Sequence, residues 1–306
     1  MKRATLKRLA KTKKIATKAA DWFVNLFLIG FGLWALYWII IMTVCCSFHI
    51  PTQSMTPTLV PDDWGLVNKL KLGARVFNIF DAAEGKPYTI RRLPGYGKLD
   101  RQDVIIFNFP YEGSWDSISM NVRVYYCKRA IAVPGDTLEI RDCFYHVRGV
   151  ADTLGVAREQ ERLREYLQWY ERENPDRSQW PNSFTMAPRD TMLNWTIANA
   201  GPWLIPGEGT QIDLDRRNWL LYKKYIEWET GKKLEWRDSV ACLDGKLLNE
   251  YTFQEDYCFV AGDHAADSRD SRYFGLVPQK FIVGTAGILW NSKKKSRILK
   301  RINVHD

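Results

Sequence analysis

A serine and a lysine, each in an unusual setting, have the strongest claim to chemistry in this chain. Ser54 sits in Pro51-Thr52-Gln53-Ser54-Met55-Thr56-Pro57-Thr58-Leu59, eight residues after the end of a long apolar run. A hydroxyl attacks a carbonyl only when a base is aimed at it and its backbone is held still. Prolines at 51 and 57 fix φ and disfavour helix on both sides, so an extended, rigid segment is expected. Taken alone, these residues also suit a Thr/Ser/Pro linker beside a membrane. Lys128 lies in Tyr125-Tyr126-Cys127-Lys128-Arg129-Ala130-Ile131-Ala132-Val133-Pro134-Gly135-Asp136, an apolar strand running into a turn. Such a lysine either snorkels to water or is buried and pushed toward neutrality. A third segment, from Gly262 to Pro278, is a polar loop between two strands and holds Asp263, His264, Ser268, Asp270 and Arg272.

Amide hydrolysis by a serine needs a base active near neutral pH, a slot for the developing oxyanion and an extended substrate across the nucleophile. Histidine is the usual base, but His49, His146, His264 and His305 come with no Ser/His/Asp pattern. Lys128 can serve if its pKa falls from about 10.4 to roughly 7–8, a change worth roughly 4 kcal/mol, which full burial among Tyr126, Ile131 and Val133 can supply. Arg129 is no obstacle, because neighbouring strand residues face opposite sides. In this reading Ser54 attacks, Lys128 takes its proton and returns it to the leaving amine, and the Ser54 backbone N–H holds the oxyanion. Two rivals stand beside it. One is a Ser/His/Asp hydrolase with His264 as base; the other is a non-catalytic, membrane-anchored β-domain that binds peptides or scaffolds a complex.

The elements that must position these residues begin with Trp22–Cys46, apolar except for Asn25 and Thr43. A helix rising about 1.5 Å per residue needs about 20 residues to cross a bilayer core of about 30 Å, so this stretch suffices. No small-x-small cleavage site follows it, which makes it an uncleaved anchor. Trp22, Trp34, Tyr37 and Trp38 suit such a helix. Lys and Arg are concentrated before the span, which predicts a cytoplasmic N-terminus and a body across the membrane. Short β-rich runs follow at Trp64–Lys71, Asp103–Phe109, Val122–Val133, Thr137–Ile140, Tyr257–Ala261 and Phe281–Trp290, with turn signals at Pro134-Gly135-Asp136 and Leu243-Asp244-Gly245-Lys246. Gly73–Gly97 reads as a loop with a short hairpin. Residues 150–235 differ: Glu159–Glu173 and Asn218–Thr230 are amphipathic and read as helices, the second closed by Gly231. The expected fold is mainly β, with a helical and irregular inserted subdomain and one N-terminal transmembrane helix. Its parts are a basic cytoplasmic tail (1–21), a transmembrane anchor (22–46), a catalytic β body (47–149 and 236–290), the insert (150–235) and a basic C-terminal tail (291–306).

Charge narrows the partners. The chain is +9 overall, but residues 1–21 carry +7 and residues 291–306 carry +5, leaving −3 for the body between them. A body of that charge has no excess with which to neutralise phosphates, so no nucleic acid is expected. The basic C-terminal tail is expected to be solvated, with anionic lipid as a lesser possibility. Cys127, Cys143, Cys242 and Cys258 lie outside the anchor; two disulfides or four free thiols are both compatible with the sequence. Neither a C-x-x-C pair nor an H-E-x-x-H motif is present, so no metal and no cofactor are expected.

The three segments together resemble the type I signal peptidases of bacteria, membrane-bound Ser/Lys endopeptidases. The family's Pro-Ser-x-Ser-Met-x-Pro-Thr-Leu is similar to residues 51–59, with Thr52 in place of the first serine. Its Lys-Arg-x-Ile-x-x-Pro-Gly-Asp is similar to Lys128–Asp136. Its Gly-Asp-Asn…Ser-x-Asp-Ser-Arg-x-Trp-Gly-x-Val-Pro is similar to Gly262–Pro278, with His264 for Asn and Phe274 for Trp. Arg101–Phe107 is a weaker match, with Gln102 where the family usually has Gly. The resemblance implies a signal-peptidase-like β body and a serine endopeptidase with a Ser54/Lys128 dyad, in which the Thr52 hydroxyl joins the oxyanion site. It makes Ser268 the hydroxyl that orients the lysine ammonium, Asp270 and Arg272 a supporting ion pair, and Gly262 and Asp263 the shapers of that loop. The implied setting is the bacterial inner membrane with the catalytic domain periplasmic. The implied partners are the lipid bilayer and signal-peptide-bearing preproteins, cut after an Ala-x-Ala-like junction. Eight extended residues at about 3.3 Å each keep Ser54 within roughly 26 Å of the anchor's end, the depth at which such a junction emerges.

Overall fold

Uninterrupted by proline, the N-terminal residues form one helix. The computed structural model describes residues 2–302, with side chains at 17, 18 and from 20 onward, and helix α1 spans Lys2–Thr43. Within it Ala20–Thr43 is long and apolar enough to cross a membrane, and among the described residues none buries its apolar window. The helix stops short of the expected anchor end. Cys45–His49 instead forms strand β1, antiparallel to β2 (Trp64–Asn68). Two interactions fix that boundary: the Lys69 ammonium donates to Ile41 O at 2.7 Å, a cation on the helix's last carbonyls, and strand pairing takes over the backbone groups from Cys45 onward. The basic side chains between residues 2 and 14 and residues 303–306, including His305, lie outside the described residues.

After β2 the main elements are β3 (Val104–Phe109), β4 (Asn121–Ala132), β5 (Thr137–Arg141), β6 (Phe144–Val147), α2 (Ala157–Glu173), β7 (Ala200–Leu204), α3 (Arg216–Thr230), β8 (Tyr257–Ala261), α4 (Ser271–Phe274), β9 (Val277–Pro278) and β10 (Ile282–Asn291). The main sheet is antiparallel, in the order β1-β2-β10-β3-β4-β8-β9. Its central strands read as continuous apolar runs because both faces are covered: Ile105, Phe107, Ala130, Ile131, Phe259, Val260 and Ile282 are all buried in one core. A second small sheet, β6-β5-β7, extends from the end of β4 through the Pro134-Gly135-Asp136 turn, where Asp136 accepts from Val133 N (2.9 Å) and Arg101 Nε (2.7 Å).

Both helices of residues 150–235 pack toward the polar loop that follows β8. Leu163 and Leu167 of α2 are buried with Phe184, Ile197, Cys143 and the loop residue Ala265. Helix α3 starts on the Asp215 carboxylate, which caps Asn218 N at 2.7 Å, and ends at Gly231 in the left-handed conformation (φ 65°). Its buried face supplies Tyr225, whose hydroxyl accepts from Leu276 N (2.7 Å), and Lys224, whose ammonium donates to Phe274 O (2.6 Å). All six cysteines are free thiols.

Candidate active site

Ser54 does not lie in an extended segment. The chain turns there, with Thr56 N bonded to Gln53 O and Leu59 N to Met55 O, each at 2.9 Å. Burial explains the difference: Met55 and Leu59 point inward with Ile50, Val104 and Leu289, and only a turn brings both into one apolar cluster. Ser54 itself is half-buried on the rim of the turn. Its carbonyl accepts from His264 N at 3.2 Å, and its own N–H has no acceptor among the described residues.

Lys128 comes from β4, between β3 and β8. The residue is 4% exposed, and its Nζ lies 2.5 Å from Ser54 Oγ and 5.8 Å from the centre of the Tyr126 ring. Burial pushes its pKa below the ordinary lysine range, against the attraction of the Asp270 carboxylate. Strand alternation sends Arg129 to the other face. There its guanidinium is buried in a bidentate pair with Asp263 (2.7 and 2.6 Å) and also donates to Thr58 Oγ1 at 3.1 Å and Gln102 O at 2.9 Å. The loop residue Asp263 and the Ser54 turn are therefore tied to the same strand position, one residue from Lys128.

In the loop, Asp270 and Arg272 form a buried pair at 2.9 Å, and the Asp270 carboxylate also accepts from Gly262 N at 3.0 Å. Burial alone raises Asp270, but Arg272 and the Gly262 amide outweigh it and hold the carboxyl below its usual range; Arg272 is correspondingly raised. Gly262 is packed so closely against Ser268 and Ser54 O that a Cβ there would meet both. The Ser268 hydroxyl is buried in this contact and makes no hydrogen bond to Lys128 Nζ among the described residues. The His264 imidazole makes no hydrogen bond to Ser54 among the described residues. Phe274 packs on Phe109 and Tyr111, with ring centres 5.5 Å away in each case.

Thr52 is exposed, with Oγ1 3.4 Å from Ser54 Oγ. Thr52, Ser54 and Lys128 line a cleft of about 510 Å³ together with Ile50, Ile106, Tyr125 and Tyr126. It shares Phe48, His49, Ile106 and Tyr125 with a second apolar groove that ends at Met42 and Thr43, beside the membrane helix. Residues 125–128 of β4 line the cleft, and residues 121–128 keep one open edge, because β4 pairs with β8 only through 129–132 among the described residues.

The sequence motifs did not reveal Arg129, Thr58 or the buried Asp63 as supports of the Ser54 turn. For Arg129 a signal was available: a cation beside Lys128 and an acid beside Gly262 on neighbouring strands are placed to pair on the face away from the cleft. Gln102 carries a second one. It adopts φ 73°, the left-handed region in which glycine is unstrained, and its side chain bonds Thr153 O (2.7 Å) and Gly155 N (2.9 Å) at the start of residues 150–235.

The family model for signal peptidase, peptidase S26, matches residues 21–291. The chain belongs to the signal peptidase family. Signal peptidase I of Buchnera aphidicola subsp. Baizongia pistaciae is 24% identical over 288 residues, spanning 92% of this chain and 80% of that protein. Signal peptidase I of Buchnera aphidicola subsp. Acyrthosiphon pisum is 25% identical over 258 residues, spanning 81% and 69% respectively. The crystal structure of a signal peptidase I from Enterococcus faecalis is 23% identical over 61% of this chain and 96% of that one, with a TM-score of 0.26. As a signal peptidase family member, the chain is a peptidase of signal-peptide processing, with an N-terminal apolar helix as its membrane anchor.

Proposed function

We propose that this signal peptidase is a Ser/Lys endopeptidase that frees exported preproteins from their signal peptides. The observation that carries this reading is the 2.5 Å approach of Lys128 Nζ to Ser54 Oγ, in a lysine that is 4% exposed as a residue. A buried lysine held below its ordinary pKa spends more of its time as the free base, and the Ser54 hydroxyl is the proton donor nearest to it. Ser54 Oγ adds to the scissile carbonyl as its proton passes to Lys128 Nζ, giving a tetrahedral oxyanion. The unpaired Ser54 N–H and the Thr52 hydroxyl receive that charge. Lys128 then protonates the departing amine, leaving an acyl-Ser54 ester. A water enters and attacks the ester as Lys128 takes its proton; Lys128 then returns that proton to Ser54 Oγ as the ester bond breaks, which releases a carboxylic acid and restores both the Ser54 hydroxyl and the free amine. Arg129–Asp263 and Asp270–Arg272 hold the two reacting side chains in place from either side.

The substrate class follows from the surroundings. An extended peptide can add to the open edge of residues 121–128, placing small side chains of an Ala-x-Ala-like junction toward Ile50, Met55 and Ile106. The apolar groove leading to Met42 and Thr43 accepts the hydrophobic part that precedes the junction. Trp64 and Trp290, with ring centres 5.7 Å apart, stay partly exposed beside that groove, where interfacial tryptophans suit the bilayer surface. With the basic N-terminus cytoplasmic, the cleft faces the export side of the inner membrane. The test is purified full-length protein in detergent with a preprotein bearing an Ala-x-Ala junction, the cut located by mass spectrometry. Wild type cuts at the junction, and Ser54→Ala and Lys128→Ala each abolish cleavage with the circular dichroism spectrum unchanged. Substantial activity in either variant overturns the dyad.

A further inference from the structure

We propose that Arg297 is a positioning residue that holds the Ser54 turn in register with Lys128, an inference that rests on Ser54 being the nucleophile. Residues 292–302 lie beyond the span that the family model matches. They do not extend into solvent. Leu289 N bonds Lys300 O (3.1 Å), Leu299 N bonds Leu289 O (2.7 Å) and Ile302 N bonds Gly287 O (2.9 Å), so the segment folds back along β10. Ile302 packs against the cluster of Ile50, Met55 and Leu59 that underlies the Ser54 turn.

Arg297 makes the polar half of that attachment. Its guanidinium donates to Thr58 O at 2.6 Å, Asp63 Oδ2 at 2.9 Å and Pro57 O at 3.3 Å. Asp63 is fully buried and also accepts from Ser292 Oγ (2.6 Å) and Val60 N (2.9 Å). Thr58 is thus gripped twice: its carbonyl by Arg297, its hydroxyl by Arg129, the residue next to Lys128. A guanidinium presents its donors as a fixed planar fork, here spread over two carbonyls and a carboxylate, a geometry that a compact ammonium does not reproduce. Neighbouring Lys293 is different in kind. It is 76% exposed and pairs with half-exposed Asp62, a solvated contact of little energetic weight, whereas the Arg297 side chain is 20% exposed. An arginine kept only to touch anionic lipid has no reason to bury its donors on main-chain carbonyls three and four residues from Ser54.

The experiment uses the full chain in detergent, an Ala-x-Ala junction peptide, and the variants Arg297→Lys, Arg297→Met and Ser54→Ala. Because angstrom-scale misplacement of a reacting group costs up to about a hundredfold, Arg297→Met is expected to lose between about ten- and a hundredfold in kcat. KM should stay within about twofold, since the cleft walls are untouched. The acid limb of the pH profile should not move, because the charged groups that act on Lys128 (Asp270, Arg272 and Asp263) are unchanged. Arg297→Lys keeps a cation for Asp63, so it stays folded if the Met variant does not, and its kcat should fall between those of wild type and Arg297→Met. Wild-type kcat in Arg297→Lys and in folded Arg297→Met overturns the inference, as does a loss confined to KM or a shifted acid limb. If Ser54→Ala is dead while both Arg297 variants cut normally, this inference alone fails; if Ser54→Ala still cuts, the nucleophile assignment fails first.

Discussion

Substituting Gly262 with alanine tests whether the loop after β8 sets the geometry of Ser54. A Cβ built on Gly262 sits 2.6 Å from Ser268 Cβ and closer still to Ser268 Oγ and Ser54 O. Carbon atoms in contact are most stable at about 3.5–4.0 Å, so roughly 1 Å of movement is needed. Rotating Ser268 relieves its hydroxyl but not its Cβ, and the Ser54 carbonyl cannot rotate away without breaking its bond to His264 N. Gly262 is not in the left-handed region, so alanine brings no backbone strain of its own and the effect is steric. Overpacking of this kind costs about 1–3 kcal/mol of stability. Displacing Ser54 by about 1 Å from Lys128 costs about a hundredfold in rate. Gly262→Ala should therefore remain folded, with Tm lowered by several degrees, while kcat falls by about two orders of magnitude. Combining it with Ser268→Gly, which removes one of the two obstacles, should restore stability more than activity. Stopped assays with a junction peptide, together with thermal unfolding of the same samples, read both quantities. Wild-type kcat in Gly262→Ala would refute the reasoning, because it would mean that the Ser54 carbonyl is free to move without moving the reacting hydroxyl.

Cleavage should rise with pH along an acid limb, since burial holds Lys128 below the ordinary lysine range and the neutral amine is the working form. A kcat/KM that stays flat down to about pH 5 would rule out a lysine base. The same lysine affects stability. With its folded pKa depressed, it binds fewer protons folded than unfolded, so it costs stability below the unfolded value of about 10.4, in full once pH is below the folded value. Lys128→Met should accordingly abolish cleavage yet raise Tm at neutral pH; an unchanged or lower Tm would show a charged, well-satisfied ammonium. For the buried Asp270–Arg272 pair, Asp270→Ala leaves the Arg272 charge unpaired and should cost about 3–5 kcal/mol by urea unfolding. The double variant Asp270→Ala/Arg272→Met should be less destabilised than Asp270→Ala alone, and simple additivity of the two losses would contradict the pairing argument.

The parts of this molecule that were legible in its sequence are those decided locally. Strand β8 falls on Tyr257–Ala261 as its apolar run predicts, and α3 ends at Thr230 because Gly231 supplies the left-handed residue that closes it. Lys128 was legible for a related reason: alternation along β4 separates it from Arg129, and an apolar strand leaves an inward lysine no water. Features set by partners far along the chain were not. Proline spacing suggested an extended Ser54 segment, but Met55 and Leu59 find their burial against Leu289, more than two hundred residues away, and that burial bends the chain. The anchor's last residues looked like membrane and became a strand because Trp64–Asn68 was available to pair with them. The C-terminal cations show the limit most clearly. Lys293 and Arg297 read alike in composition, and what separates them is the acceptors that the fold presents: an exposed carboxylate for one, two carbonyls of the Ser54 turn and the buried Asp63 for the other. A cation's role in this fold is therefore written in the carbonyls around it, and those are assembled only when residues 57–63 and 292–302 meet.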